Sequence, residues 1–245
     1  MAARRAGLSH TAAGPPGGRG TRARAVLLDA YGTLLRLPPP APRLRALLAA
    51  DGHLHPEERV SAAVAAEVRY YRRHHDRGRD AASLAGLRRD CAAVIAAELG
   101  GDVPPPERLA EMLVASLRFE LMPDALPALD ALDALGARLA VVSNWDCSLP
   151  RVLSGLGVAD RFGAVATSAV AGAAKPDPSI FLGALARLGV PPAAALHCGD
   201  SPHHDCAGAR AAGIEGVLID RDGGTPPGPC RRIATLVELA QVIDP

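Results

Sequence analysis

The pattern of apolar and polar positions divides the chain into three stretches. Arg24-Ala-Val-Leu-Leu-Asp29 is a continuous apolar run closed by a turn signal at Gly32, which predicts a short buried strand with a carboxylate at its C-terminal end. From about Pro38 to Phe119, Ala- and Arg-rich segments with helical period (near 43–50, 57–77, 81–99 and 107–118) alternate with Pro and Gly breaks such as Gly52 and Pro104-Pro105-Pro106, and no strand pattern intervenes. From Asp124 the rhythm becomes helix, strand, helix, strand. Asp124 is placed to cap a helix ending at Gly136. Further buried strands are predicted at 138–143, 164–167, 194–198 and 216–219, helices at 177–188 and 203–212, and a closing helix at 233–243. Such alternation implies right-handed crossovers and a parallel sheet covered on both faces. The fold class expected is α/β: a Rossmann-like, doubly wound core at 24–37 and 120–245, with an all-helical cap over 38–119 inserted after the first strand.

Composition narrows the partners more than the fold. With 245 residues and a hydrophobic share of 49%, the chain can bury a full α/β core and an inserted subdomain. Its 27 basic and 26 acidic residues give a net charge of +1, so no global field draws it to nucleic acid or to an anionic membrane, and a small-molecule partner is expected. No apolar run reaches the roughly 20 residues that cross a bilayer. The five cysteines are scattered and form no C-x-x-C pair, which argues against a disulfide framework or a zinc ribbon and favours a reducing, cytoplasmic setting. Residues 1–23, rich in Arg, Gly, Pro and Ala, read as a disordered tail. Oligomeric state leaves no signal.

The chemistry-bearing residues stand at the ends of the predicted strands, the edge of an open parallel sheet where ligands bind. Asp29 can act as a nucleophile, with Lys175 as balancing cation. A phosphoryl group arriving there would be held by Ser143, Lys175 and backbone N–H groups. Asp200 and Asp205, across a short loop, add the hard oxygen ligands that suit Mg²⁺. Gly32 lets the chain turn away after the nucleophile, and the Thr33 hydroxyl can pin that turn. Each residue also has a plain reading: Asp29 and Ser143-Asn144 as turn formers, Lys175 as a solvated loop lysine, Asp200 and Asp205 as helix-start acids. Two histidine pairs read as solvated surface: His203-His204 in the loop between the acids, and His74-His75 beside Asp76 on a helix face.

Four segments in order carry a family resemblance. Asp29-Ala-Tyr-Gly-Thr-Leu34, Ser143-Asn144, Lys175-Pro-Asp-Pro178 and Gly199-Asp-Ser-Pro-His-His-Asp205 resemble motifs one to four of the haloacid dehalogenase-like hydrolases. The stretch from Ser143-Asn-Trp-Asp146 to His197-Cys-Gly-Asp200 is most similar to the subgroup with a helical cap named for a rhythmically expressed gene product. The resemblance implies catalysis by Asp29, Ser143 and Lys175, and substrate contacts from Tyr31, Thr33 and Asn144. It also implies a Mg²⁺ held by Asp29, the Tyr31 carbonyl, Asp200 and Asp205. Phosphatases of this superfamily carry a second Asp two positions after the nucleophile, where this chain has Tyr31. A phenol, ionising at about pH 10, is a poor base at neutral pH. Three expectations stay open: a phosphohydrolase favouring good leaving groups, a 2-haloacid dehalogenase, for which Tyr31 speaks and Phe181 and Asp200 speak against, and a non-catalytic phospholigand or protein binder.

Overall fold

The computed structural model describes residues 25–226 and 228–243; the tail expected over 1–23 lies outside them. Six parallel strands form the main sheet in the order β5-β4-β1-β6-β7-β8, where β1 is Ala25–Leu28, β4 Arg138–Ser143, β5 Ala164–Thr167, β6 Ala195–Gly199, β7 Glu215–Ile219 and β8 Arg231–Ile233. β1 lies between β4 and β6, with Leu28 opposite Val141 on one side and Cys198 on the other. The chain winds outward from β1 through β4 to β5, then crosses back to β6 and runs out through β7 and β8. Strand order therefore reverses at β1, and the crevice beyond its carboxyl end is the switch point where such sheets take ligands.

Every residue of β1 is buried, so the strand alternates between two cores. Val26 and Leu28 pack with Leu139, Val141, Leu196 and Cys198. The helices over this face are α5 (Ala125–Ala134), α6 (Leu149–Gly155) and α10 (Leu239–Ile243). Ala25 and Leu27 pack with Ala140, Val142 and the Ile180, Phe181 and Leu185 side chains of α8 (Pro178–Leu188). A third core belongs to four helices inserted between β1 and β4: α1 (Ala41–Ala50), α2 (Glu57–His74), α3 (Ala81–Leu99) and α4 (Pro106–Ser116). Its Leu44, Leu48, Val60, Leu87, Ile95, Leu109 and Leu113 are buried against one another. The insertion begins and ends in a two-stranded antiparallel ribbon, β2 (Leu35–Arg36) with β3 (Glu120–Leu121). Short helices α7 (Ser168–Ala171) and α9 (Gly208–Ala211) complete the set.

Several expectations need correction. β8 was not anticipated: of its three residues only Ile233 is buried, and its existence depends on pairing with β7. The closing helix is correspondingly shorter, a 3₁₀ turn at Leu236–Glu238 leading into α10. Asp124 does not cap α5 with its side chain; its carboxylate accepts instead from Arg221 and from the Leu236 N–H. Cys206 and Cys230, 24 residues apart with Cα atoms 6.1 Å from each other, are joined as a disulfide, contrary to the expectation from their scatter. The fold brings them together over β7: Cys206 lies in the turn after β6 and Cys230 just before β8, and a Cβ at Gly216 would stand 2.7 Å from Cys230 Sγ and 3.5 Å from Cys206 Cα, a proximity that spacing does not encode.

The insertion is seated on the core near the switch point. The Tyr71 hydroxyl donates to Asp146 Oδ2 at 2.9 Å, the Cys147 N–H donates to the Gly78 carbonyl at 2.8 Å, and Ser168 Oγ donates to the Asp76 carboxylate. Gly78 is demanded by this approach, since a Cβ there would stand 2.9 Å from Asp146 Cβ. Asp76, on the polar face expected and with its side chain 51% exposed, thus also makes an interface contact.

Candidate active site

The nucleophile position is set by β1. The Asp29 N–H continues the ladder by donating to the Cys198 carbonyl at 2.9 Å, and its side chain, 6% exposed, emerges at the carboxyl edge. The chain must then turn sharply: Leu34 and Leu35 N–H both return to the Ala30 carbonyl, and Gly32 takes φ +84°. Glycine is required there twice over, because that φ disfavours a side chain and because a Cβ would lie 2.2 Å from Asp200 Oδ2.

Lys175 arrives from the start of α8. Asp177 caps that helix by accepting the Ser179 N–H at 2.8 Å, and Pro178 occupies its first turn, so the helix begins three residues after the lysine. Asn144, at the end of β4, clamps the lysine backbone from both sides: its Oδ1 accepts the Lys175 N–H at 2.7 Å and its Nδ2 donates to the Lys175 carbonyl at 3.0 Å. The resemblance implies that Asn144 touches substrate; its amide is engaged in placing Lys175. The ammonium, 4% exposed, stands 2.6 Å from Asp29 Oδ1 and 2.6 Å from Asp205 Oδ1. Burial alone would lower its pKa, but the two carboxylates outweigh burial and hold it above the ordinary lysine value.

Asp205 comes from a widened helical turn, Pro202–Ala207, with π-type hydrogen bonding. Ser201 opens it, its hydroxyl accepting the His204 N–H at 3.1 Å. The Asp205 Oδ1 takes Lys175 and the Nε2 of His197 at 2.8 Å, while Oδ2 takes the Ser201 N–H at 2.9 Å. Burial pushes this carboxyl up, yet the lysine charge and the His197 hydrogen bond together hold it well below the usual carboxylate range. Gly199 makes room for it, since a Cβ there would meet the carboxylate carbon at 2.1 Å.

Asp200 completes the cluster. One carboxylate oxygen from each of Asp29, Asp200 and Asp205 can be chosen so that all lie within 4.8 Å of one another. Desolvation first, and then the charges of Asp29 and Asp205, raise the Asp200 carboxyl to about 6. Three acids converging on one lysine carry more negative charge than it can balance, which is the donor set a hard divalent cation fits. Asp29 and Asp200 would hold Mg²⁺, with Asp205 supporting through its bonded network.

The remaining expected residues lie on the same edge. Ser143 is buried at the end of β4, two residues beyond the partner of Leu28. Tyr31 is 45% exposed on the turn after Asp29. Thr33 is buried, but its hydroxyl finds no hydrogen-bond partner among the described residues; the turn is pinned instead through its carbonyl, which accepts from Arg221 at 3.1 Å. His203 and His204 pack edge to face, with His204 against the Ser201 hydroxyl, and neither belongs to the acid cluster. Sequence reasoning passed over His197, Arg221 and the Tyr71–Asp146 contact. Only His197 left a signal, as the one histidine inside the apolar run 194–198.

Fold and cluster together define a Rossmann-like α/β protein with an acid-and-lysine site at the carboxyl edge of its sheet. The chain belongs to the haloacid dehalogenase-like hydrolase family, whose model matches residues 23–213. It is similar to "Haloacid dehalogenase-like hydrolase domain-containing protein 3" of Danio rerio, 41% identical over 106 residues, 43% of this chain and 44% of that protein. It is also similar to the "Phosphoserine phosphatase" of Thermus thermophilus, 39% identical over 129 residues, 51% of each chain. The chain thus spans about half the length of the curated relatives it matches. Among solved structures it is similar to the 2-haloacid dehalogenase of Pseudomonas syringae pv. Tomato, with a TM-score of 0.66, 26% identity and coverage of 90% of this chain and 98% of that one.

Proposed function

We propose that this chain is a Mg²⁺-dependent phosphohydrolase of a small phosphorylated metabolite, working through an aspartyl-phosphate on Asp29. The observation that carries the reading is the cluster itself: a buried ammonium 2.6 Å from the nucleophile, with Asp200 and Asp205 carboxylate oxygens within 4.8 Å of it. Bound Mg²⁺ would offset the repulsion between anionic nucleophile and anionic substrate. An Asp29 oxygen attacks phosphorus as the bond to the leaving oxygen breaks, and that oxygen departs with the electron pair. Lys175 and Ser143 steady the charge spread over the phosphoryl oxygens. Water then attacks phosphorus, releasing phosphate and restoring the Asp29 carboxylate. The helical insertion, seated on the loop after β4, serves as a cap that limits water during the first step.

Tyr31 sets the substrate preference. With a neutral phenol in place of a second carboxyl, the departing group is not protonated from that position, so leaving groups stable as anions, acyl and aryl phosphates, are favoured. The name of the Thermus relative supports phosphate-ester chemistry, and the likeness to a dehalogenase supports a second reading in which Asp29 attacks carbon and a halide departs unprotonated. Asp200 favours the first, because a metal acid has no task in halide release. The deciding assay measures phosphate release from acetyl phosphate and an aryl phosphate with and without Mg²⁺, beside chloride release from 2-chloropropionate. Metal-dependent phosphate release is expected and should vanish in Asp29→Asn. Metal-independent chloride release would establish the second reading, and silence in both assays with ligand-induced stabilisation would mark a non-catalytic binder.

A further inference from the structure

We propose that His197 is a positioning residue for the nucleophile: from inside β6 it fixes Asp205, and through Asp205 it fixes the Lys175 ammonium against Asp29. The role rests on the phosphohydrolase reading only in what the site does, not in how it is held. His197 is fully buried, 0% exposed, and lies edge-on to Phe181 with ring centroids 4.9 Å apart. Its Nε2 stands 2.8 Å from Asp205 Oδ1. An ionised carboxylate only accepts, so Nε2 is the donor. Nδ1 finds no partner among the described residues, so the bond from Nε2 to Asp205 is the ring's one hydrogen bond there.

A histidine retained for packing alone would not need this arrangement, since an apolar side chain would fill the space beside Phe181 without an unpartnered nitrogen. What the imidazole adds is the third anchor of Asp205. Lys175 and His197 share Oδ1, the Ser201 N–H takes Oδ2, and Gly199 leaves the carboxylate no wall of its own. With the histidine absent, the carboxylate can swing about its two remaining anchors and carry the Lys175 ammonium that it binds off the Asp29 oxygen that must be oriented for attack. Hydrogen-bonded groups behind a metal or catalytic residue commonly contribute about 10–100-fold to affinity or activity.

The test uses the whole chain as wild type, His197→Gln and His197→Leu, with the amide of Gln able to donate to the same oxygen. The readouts are kcat and KM for an aryl phosphate with Mg²⁺, Mg²⁺ affinity by calorimetry without substrate, melting temperature, and a long-range ¹H–¹⁵N spectrum of the histidine side chains. We expect His197→Leu to lose about 10–100-fold in kcat with KM within about threefold, and to bind Mg²⁺ about tenfold more weakly. His197→Gln should recover most of both, and wild-type His197 should carry a proton on Nε2. Equal losses in Gln and Leu that track melting temperature, or no loss in either, would overturn the role. An Nε2 that carries no proton would overturn it as well, and this spectrum decides even if the Leu protein does not fold. If the wild type releases no phosphate, the phosphohydrolase reading fails while Mg²⁺ affinity and the spectrum still judge His197.

Discussion

Replacing Lys175 by methionine removes the one cation that the three carboxylates share while keeping most of the side-chain volume. The ammonium is buried and lies 2.6 Å from both Asp29 and Asp205, so its loss leaves two buried acids without their balancing cation. At an effective dielectric of about 20, two unit charges separated by the 4.8 Å that bounds the acid oxygens repel by ~3.5 kcal/mol. Breaking a buried ion pair by removing one member costs about 3–5 kcal/mol, in line with that repulsion. For a chain of this size the melting temperature should fall by roughly 10 °C near neutral pH. The sign of the pH dependence follows from the folded-state shifts. Lys175 is raised, so its contribution is complete at neutral pH and is lost only as pH climbs through its raised value. Asp205 is lowered, so its contribution is present above the unfolded carboxylate value and is lost only as pH falls through its lowered one. Wild type therefore keeps both contributions between about pH 5 and pH 8. In Lys175→Met the acids lose their cation and bind protons more readily, so the deficit should narrow at about pH 5, and Mg²⁺ should restore the variant more than wild type. Circular-dichroism melts at the two pH values, with and without Mg²⁺, measure this. A variant that melts with wild type near neutral pH, or trails it equally at both, would refute the electrostatic reasoning.

Tyr31→Asp should raise turnover of alkyl phosphates by about 10²-fold or more while moving aryl phosphates little, because only the poor leaving group gains from a proton donor; equal gains on both would show that Tyr31 does not stand in the acid's place. Gly32→Ala should lower Mg²⁺ affinity at least tenfold, since the methyl at φ +84° would displace the Asp200 carboxylate, and calorimetry finding unchanged affinity would contradict the crowding. Mg²⁺ affinity of the substrate-free protein should weaken as pH falls through about 6, where Asp200 takes a proton that the metal must expel; titrations near neutral pH should show no such loss, and a flat profile across both ranges would remove Asp200 from the metal site.

The sheet and its reactive edge were legible because local rules produce them. Val26 and Leu28 face one core and Ala25 and Leu27 the other by simple alternation, and Asp29, Asn144, Lys175 and Asp200 follow their strands or precede their helix at fixed offsets. The parts that escaped depend on partners far away in sequence. Asp124 reads locally as a helix cap, but Arg221, 97 residues on, offers two hydrogen bonds where a cap accepts one backbone N–H. Tyr71 meets Asp146 over 75 residues, and the strand at Arg231–Ile233 has too little apolar character to declare itself without β7. Asn144 was found for its position and misread in its task, because a motif gives the residue but not the carbonyl and N–H it clasps.

Arg221 lies outside the 23–213 stretch that the family model matches, yet its guanidinium reaches back to the carbonyl of Thr33 while gripping Asp124, which in turn receives the backbone of Leu236. The rear wall of the nucleophile turn is therefore built from the last strands and helix of the described chain. A fragment trimmed to the matched stretch would retain all four motifs and lose the buttress behind them, together with the strand that shields the outer side of β6.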